Sequence, residues 1–282
     1  MRSIKVGGVP EHFNLPWHLL IDEGKFKENG LDLSWRDFPD GTGAMCKAMR
    51  SKEIDVAVIL TEGIIKDIHN GNDAVIVQEY IASPLIWGIH VAAESNFKTL
   101  EDLKDQKVAI SRYGSGSHLM AYVNARNLGW DPSKLEFEVV GDIDGAIEAL
   151  KSGKAGYFMW EHFTTKPLVD KGIFRRIGDC PTPWSCFVIA VNKDFRDREP
   201  AAILTMLKTL NNLTRQFKEI PKIETALAKK YDQKEEDIKQ WLKITNWSQK
   251  QLSVEEIHKV QEQLKELGLI SEMKDNLDFL PH

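Results

Sequence analysis

Cysteine is scarce in this sequence: Cys46, Cys180 and Cys186 are the only three, and none lies in a CxxC pair. An odd count without framework spacing excludes a disulfide-stapled scaffold, and the three read as small buried apolar residues rather than as a Cys180–Cys186 bridge. Long apolar runs are missing too. Val56–Leu60 and Val188–Val191 fall far short of the ~20 residues that a spanning helix needs, so membrane insertion is not expected. No apolar leader precedes the strand-like Ile4-Lys5-Val6. A cytoplasmic protein is therefore expected if the sequence is native and full length, and a periplasmic or cell-surface one if a leader has been removed. Excess positive charge is absent as well. Lys and Arg total 37 against 42 Asp and Glu, a net charge of −5, which excludes a basic nucleic-acid-binding face. There is no HExxH, no Cys/His ligand spacing and no GxSxG elbow, so no metal, no cofactor and no catalytic residue is assigned.

What is present is regular alternation. Lys5–Val9, Leu31–Phe38, Ile54–Leu60 and Ala74–Ile81 read as strands, with helical spacing at Trp17–Glu23, after Gly41-Thr42-Gly43 and from Glu62. Ile54–Leu60 has the continuous β-branched character of a buried parallel strand. A second set follows: Ile86–Ala92, Val108–Ser111, Leu135–Val140, Gly156–Trp160, Phe174–Ile177 and Trp184–Val191 as strands. Capping signals stand at Thr99–Asp102, at Asp144 and at Ser253–Glu256. Beyond Asp197 only helices are expected, the last ending at Gly268. The 282 residues suit two α/β lobes. Residues 1–85 and 191–282 are expected to form the first, discontinuous lobe with the C-terminal helices. Residues 93–183 would form the second, inserted lobe, and 86–92 and 184–190 would be crossing hinge strands.

The motifs that follow carry a resemblance when taken in order. Ile4-Lys-Val-Gly-Gly-Val-Pro10 matches a first strand and its loop, and Asp22–Leu31 matches an "EGxFxxxGL" helix end. Gly41-Thr-Gly-Ala44, Lys52–Ala57, Thr99–Ile110, Ile147–Ala155 and Leu264–Ile270 continue the match, although Ser51-Lys52 replaces the usual Gly of "GEIDVA". Together they resemble the nitrate, sulfonate, taurine and thiamine-pyrimidine substrate-binding family of ABC importers, and in particular an intracellular branch of it. That resemblance implies a type II periplasmic-binding-protein fold, α/β, with two lobes that are each a mostly parallel sheet flanked by helices, and a C-terminal helical tail. It implies a small-molecule ligand in the inter-lobe cleft, a monomer, and an ABC transporter permease as the partner in transport.

Ligands of open α/β sheets sit beyond the carboxyl ends of strands at a topological switch point. The loops there supply the candidate ligand-binding residues. They are Glu11, His12 and Phe13, then Thr42, Thr61, Glu62 and Ser83. Arg112, Tyr113, Ser115, Ser117 and His118 follow, with Trp160 and Glu161. Gly114-Ser-Gly-Ser-His118 combines close backbone approach with a helix N-terminus, which suits an anion or polar oxygen; a glycine turn with a capping serine would read the same way. The acids Glu11, Glu62 and Glu161 favour a ligand with N–H donors, unless they are solvated or serve helix dipoles. Phe13, Tyr113 and Trp160 offer stacking faces, whereas Trp184 and the remaining indoles read as packing.

Two classes of function stay open, and a third, a protein-interaction module using the acidic helical tail, has only composition behind it. One is a binder of a small nitrogen-containing heteroaromatic such as an aminopyrimidine, acting as transport receptor, sensor or carrier. A sulfonate-like organic anion is the alternative ligand, with Arg112, His12 and His118 offsetting the acids. The other class is an enzyme on the same fold, dehydratase-like or pyrimidine-biosynthetic. The CCCFC motif of the fold's pyrimidine synthase is absent.

Overall fold

The run Val56–Leu60 is almost wholly enclosed, which is what a strand with β-branched residues on both faces requires. It sits inside one of two five-stranded sheets. The computed structural model describes residues 1–281. The chain divides into two units: Met1–Ser83 with the chain from Trp184 onward, and Pro84–Pro183.

In unit 1, β1 (Arg2–Gly8) leads through α1 (Leu15–Asp22) and the single turn α2 (Lys25–Glu28) to β2 (Leu31–Asp37). Helix α3 (Thr42–Arg50), β3 (Val56–Leu60), α4 (Thr61–His69) and β4 (Ala74–Ile81) follow. Unit 2 runs β5 (Ile86–Ala92), β6 (Val108–Ile110), α5 (Gly116–Asn127), β7 (Phe137–Val139), α6 (Ile143–Lys151), β8 (Tyr157–Glu161), α7 (Lys166–Asp170) and β9 (Phe174–Pro181). The chain then returns to unit 1 as β10 (Phe187–Asn192), α8 (Lys193–Arg198), α9 (Pro200–Thr214), α10 (Ile223–Tyr231), α11 (Glu235–Ile244) and α12 (Val254–Glu266).

The two sheets share one plan. Their orders are β2-β1-β3-β10-β4 and β7-β6-β8-β5-β9. In the first, β1 pairs parallel with β2 and β3, while β10 is antiparallel to both β3 and β4. In the second, β6 pairs parallel with β7 and β8, and β5 is antiparallel to β8 and β9. Four strands of each sheet thus run one way and a single strand is reversed. That strand is the first one after the chain arrives from the other unit.

This topology alters the expected hinge strands. Ile86–Ala92 is an internal strand of the unit 2 sheet, and Phe187–Asn192 is an internal strand of the unit 1 sheet. Residues 184–186 are outside any strand because their backbone turns inward: Cys186 N–H donates to Ile81 O at 3.0 Å and lies 3.2 Å from Ser83 O. The chain passes between units at Ser83–Pro84 and Pro183–Trp184. None of the three cysteines forms a disulfide, and all three are buried. Among the described residues no helix is long and apolar enough to cross a membrane.

Helix starts follow their capping side chains. Ser115, Asp142 and Ser253 each accept a backbone N–H from the first turn of α5, α6 and α12. Asp102 accepts the N–H groups of Lys98 at 2.7 Å and Thr99 at 2.9 Å, reaching back as the motif predicts. Ser253–Glu256 is only half a capping box: the Glu256 carboxylate accepts Ser185 N–H at 2.7 Å and so ties α12 to the segment before β10.

Candidate functional site

In unit 1 the chain leaves β1 for β2 on one side and later adds β3 on the other, so the switch point lies at the carboxyl ends of β1 and β3. Unit 2 repeats this at β6, between β7 and β8. The expected residues stand at these ends, but their side chains are engaged in ways the sequence does not announce.

Beyond β1, His12 and Phe13 are enclosed in an aromatic cluster. Their rings stack at 4.8 Å, Trp241 meets His12 edge-on at 4.2 Å, and Phe13 lies 5.2 Å from Phe187. Burial lowers the His12 imidazole to about 3, so it is neutral. The Phe13 carbonyl accepts the Tyr80 hydroxyl at 2.8 Å. Glu11, at the head of this turn, is half-buried.

At β2 and β3 two helix starts meet. A Cβ on Gly63 would stand 2.2 Å from Thr42 Cγ2, so α4 approaches α3 through a glycine. Thr61 is anchored by its N–H to Cys186 O at 3.1 Å. Glu62 is buried, and its carboxyl accepts the Trp184 indole N–H at 2.8 Å. Burial raises that carboxyl to about 7, against its own backbone N–H and the indole. Ser83 holds the Asn246 N–H at 3.1 Å. The N–H groups of Thr42 and Gly43, in the first turn of α3, have no partner among the described residues.

In unit 2 the Gly-Ser loop after β6 is folded by its own hydroxyls. Ser117 Oγ accepts Ser111 N–H at 3.0 Å and lies 3.0 Å from Ser115 Oγ. His118 Nδ1 accepts Gly114 N–H at 3.1 Å, and the ring lies edge-on to Phe137 at 4.7 Å. The Gly116 and Ser117 N–H groups are left without a partner among the described residues. Arg112 and Tyr113 are exposed at the head of the loop, Tyr113 by 66%.

Glu161 is buried at the end of β8, where its carboxylate accepts the Thr164 N–H at 2.6 Å and hydroxyl at 2.8 Å. Burial raises its pKa, against those hydrogen bonds. Trp160 is half-buried, stacked on Phe158 at 5.4 Å. Of the three acids expected to face a ligand, two are therefore held internally, and Ser115 and Ser117 stabilise their own loop.

Sequence reasoning missed three pairings. Trp184, read as packing, is the donor to Glu62. Trp241 and Tyr231 enclose His12. His162 Nδ1 lies 2.8 Å from Asp179 Oδ1 across β5, a pairing that fixes the imidazole's orientation. The His162 contact, the hydrogen bond first among the lowering influences, and nearby Arg176 hold Asp179 below its usual range although burial acts the other way. No local signal marks any of these, since each partner arrives from another element.

Residues 87–180 match the family model described as Ca3427-like PBP. No curated protein matches the sequence. Among solved structures, the chain is similar to the Candida albicans CA3427 gene product, described as defining a new family with the generic periplasmic-binding-protein fold. The identity is 26% over 100% of this chain and 96% of that one, with a TM-score of 0.89. It is similar in fold to the alkanesulfonate-binding protein SsuA of Xanthomonas axonopodis pv. citri, bound to MOPS: 14% identity, 100% and 98% coverage, TM-score 0.83. The periplasmic aliphatic sulphonate binding protein SsuA of Escherichia coli gives 20% identity, 100% and 92% coverage and a TM-score of 0.77.

Proposed function

We propose that this chain, which has the type II periplasmic-binding-protein fold, is a solute-binding protein for a small organic oxyanion. One observation carries the reading. At the carboxyl end of β2 the N–H groups of Thr42 and Gly43 open the first turn of α3, and at the end of β6 those of Gly116 and Ser117 open α5. Neither pair has a partner among the described residues. Unpaired N–H groups at the positive end of a helix favour an anionic oxygen. The acids oppose this less than their number suggests. Glu161 is held by Thr164, and Glu62, raised to about 7, carries little charge in mildly acid solution. The structural neighbours described as sulfonate-binding point to the same ligand class. An aminopyrimidine, favoured by the acids in the sequence, loses Glu62 and Glu161 as acceptors, since Trp184 and Thr164 already hold them. Receptor, sensor and carrier roles all need this same reversible binding.

Calorimetric titration with methanesulfonate, methylphosphonate and 4-aminopyrimidine tests the reading. The two oxyanions should bind and the pyrimidine should not. Gly116→Pro removes one open N–H at the first position of α5, where proline is tolerated; Ser115, at φ −78 and ψ 171, already has the extended backbone that must precede it. Loss of a charge-assisted hydrogen bond of about 1.5–3 kcal/mol should weaken oxyanion binding roughly ten- to a hundredfold. Binding of 4-aminopyrimidine alone would overturn the proposal.

A further inference from the structure

Unit 2 holds a cavity of about 500 Å³ at the edge of its sheet where β6, β8 and β9 begin and β5 ends. The Gly-Ser loop follows β6, so this cavity lies at the other end of that strand. Its floor is apolar. Leu150 and Ala155 are buried there within the core of the unit, and Ile173 packs against that core. Phe97 adds an aromatic ring to the lining. Small-molecule sites enclose roughly 300–1,000 Å³ and pair such a lining with a few polar groups.

The polar groups here are Glu94 after β5, Gln106 before β6 and Lys151 at the end of α6. None of the three side chains has a partner among the described residues. The walls that carry them are anchored. Arg175 Nη2 donates to Ser95 O at 2.8 Å, and Ser95 N–H donates to Ala92 O at 3.0 Å, which pins the loop between Glu94 and Phe97. Further along this loop Leu100 covers Gly178, where an added Cβ would stand 2.7 Å from Leu100 Cδ2. Gln106 lies across Gly156 in the same way, 2.4 Å from such a Cβ.

We infer that this cavity is a second binding site, for a small zwitterion with an apolar body, such as an α-amino acid with a large hydrophobic side chain. Lys151 pairs with the carboxylate and Glu94 with the ammonium group. Gln106 offers both a donor and an acceptor to either. Leu150, Ile173 and Phe97 receive the side chain. A ligand with a single charge would pair with one of Glu94 and Lys151 and be repelled by the other. The site shares no residue with the helix starts of α3 and α5 and stands apart from the oxyanion reading.

Calorimetric titration of the full chain with phenylalanine, 3-phenylpropionate and phenethylamine tests this, since the three share a ring and differ in their charged groups. Phenylalanine should bind roughly fivefold or more tightly than either of the others. Lys151→Met should reduce phenylalanine to the level of phenethylamine and spare phenethylamine itself. Glu94→Gln should reduce phenylalanine to the level of 3-phenylpropionate and spare that ligand. Both residues are exposed, so neither substitution should disturb folding, and each spared ligand checks this within the same experiment. The side-chain amide resonance of Gln106 should shift as phenylalanine is added. No binding of phenylalanine, equal affinity for the three ligands, or a preference that survives both substitutions would overturn the site. So would phenylalanine binding that leaves the Gln106 amide unmoved, because the ligand would then sit elsewhere.

Discussion

Glu62 sits where its ionised form is disfavoured. Burial moves its carboxyl from 4.5 to about 7. Between those values the folded protein keeps a proton that the unfolded chain has released. The stabilisation is full below about pH 4.5 and is lost as pH rises to about 7, by up to roughly 3 kcal/mol at ~1.4 kcal/mol per unit. Glu62→Gln still accepts the Trp184 N–H and should flatten this slope. Denaturant titrations at pH 5 and pH 8 should show the variant gaining on the wild type at pH 8; parallel losses in both proteins would refute the assignment. His12 and His90 act in the opposite sense. Burial lowers them to about 3 and about 4, so stability is present above about pH 6.5 and is lost as pH falls towards those values. His12→Phe should reduce the acid-side loss, read from the same titrations between pH 6.5 and pH 4. None of this was legible in the sequence, which places Glu62, His12 and Glu161 at strand ends but not what encloses them. The Trp184 donor lies 122 positions from Glu62, and the residues around His12 come from the C-terminal helices.

At the scale of elements, the strand ends gather helix starts, and the fit between those starts is tight. Gly63 lets α4 approach Thr42 at the head of α3: an added Cβ would meet Thr42 Cγ2 at 2.2 Å. Gly63→Ala should cost about 1–3 kcal/mol by overpacking. Thr42→Ser, which deletes that methyl group, should restore most of the loss in the double variant. A double-mutant cycle of melting temperatures checks this, and simple additivity would show that the two residues do not meet. In unit 2, Ser115 caps α5 and lies 3.0 Å from Ser117 Oγ. Ser115→Ala should cost about 1 kcal/mol by circular dichroism melting. The elements themselves were largely legible because their signals are local: the β-branched run of β3, the Ser and Gly punctuation of α5 and α12, and the Asp102 turn; the cap of α6 was expected at Asp144, whereas it is Asp142 that accepts the Gly145 N–H. Glu256 was misread because its sequence neighbour Ser253 offered the expected capping box, whereas the fold brings Ser185 to its carboxylate instead.

Across the whole molecule, the alternation of strands and helices made two α/β units legible. The place of the reversed strands was not, because antiparallel insertion between β3 and β4, or between β8 and β9, leaves no periodic trace in β5 or β10. Each unit also closes on itself where the chain passes between them. In unit 1, Cys186 N–H lies 3.2 Å from Ser83 O. In unit 2, Leu85 N–H donates to Thr182 Oγ1 at 3.0 Å and Thr182 N–H to Leu85 O at 2.9 Å, so its two ends are clasped. Unit 2 has its own core, with Ala109, Ala146, Leu150, Phe158 and Phe174 buried together between its sheet and helix α6. An insert with adjoining ends and a separate core meets the requirements for independent folding. Residues 84–183 expressed alone should therefore unfold cooperatively and give near-ultraviolet circular dichroism from fixed aromatic side chains. A gradual melt without a near-ultraviolet signal would mean that this unit's strands need the remainder of the chain to hold them in register.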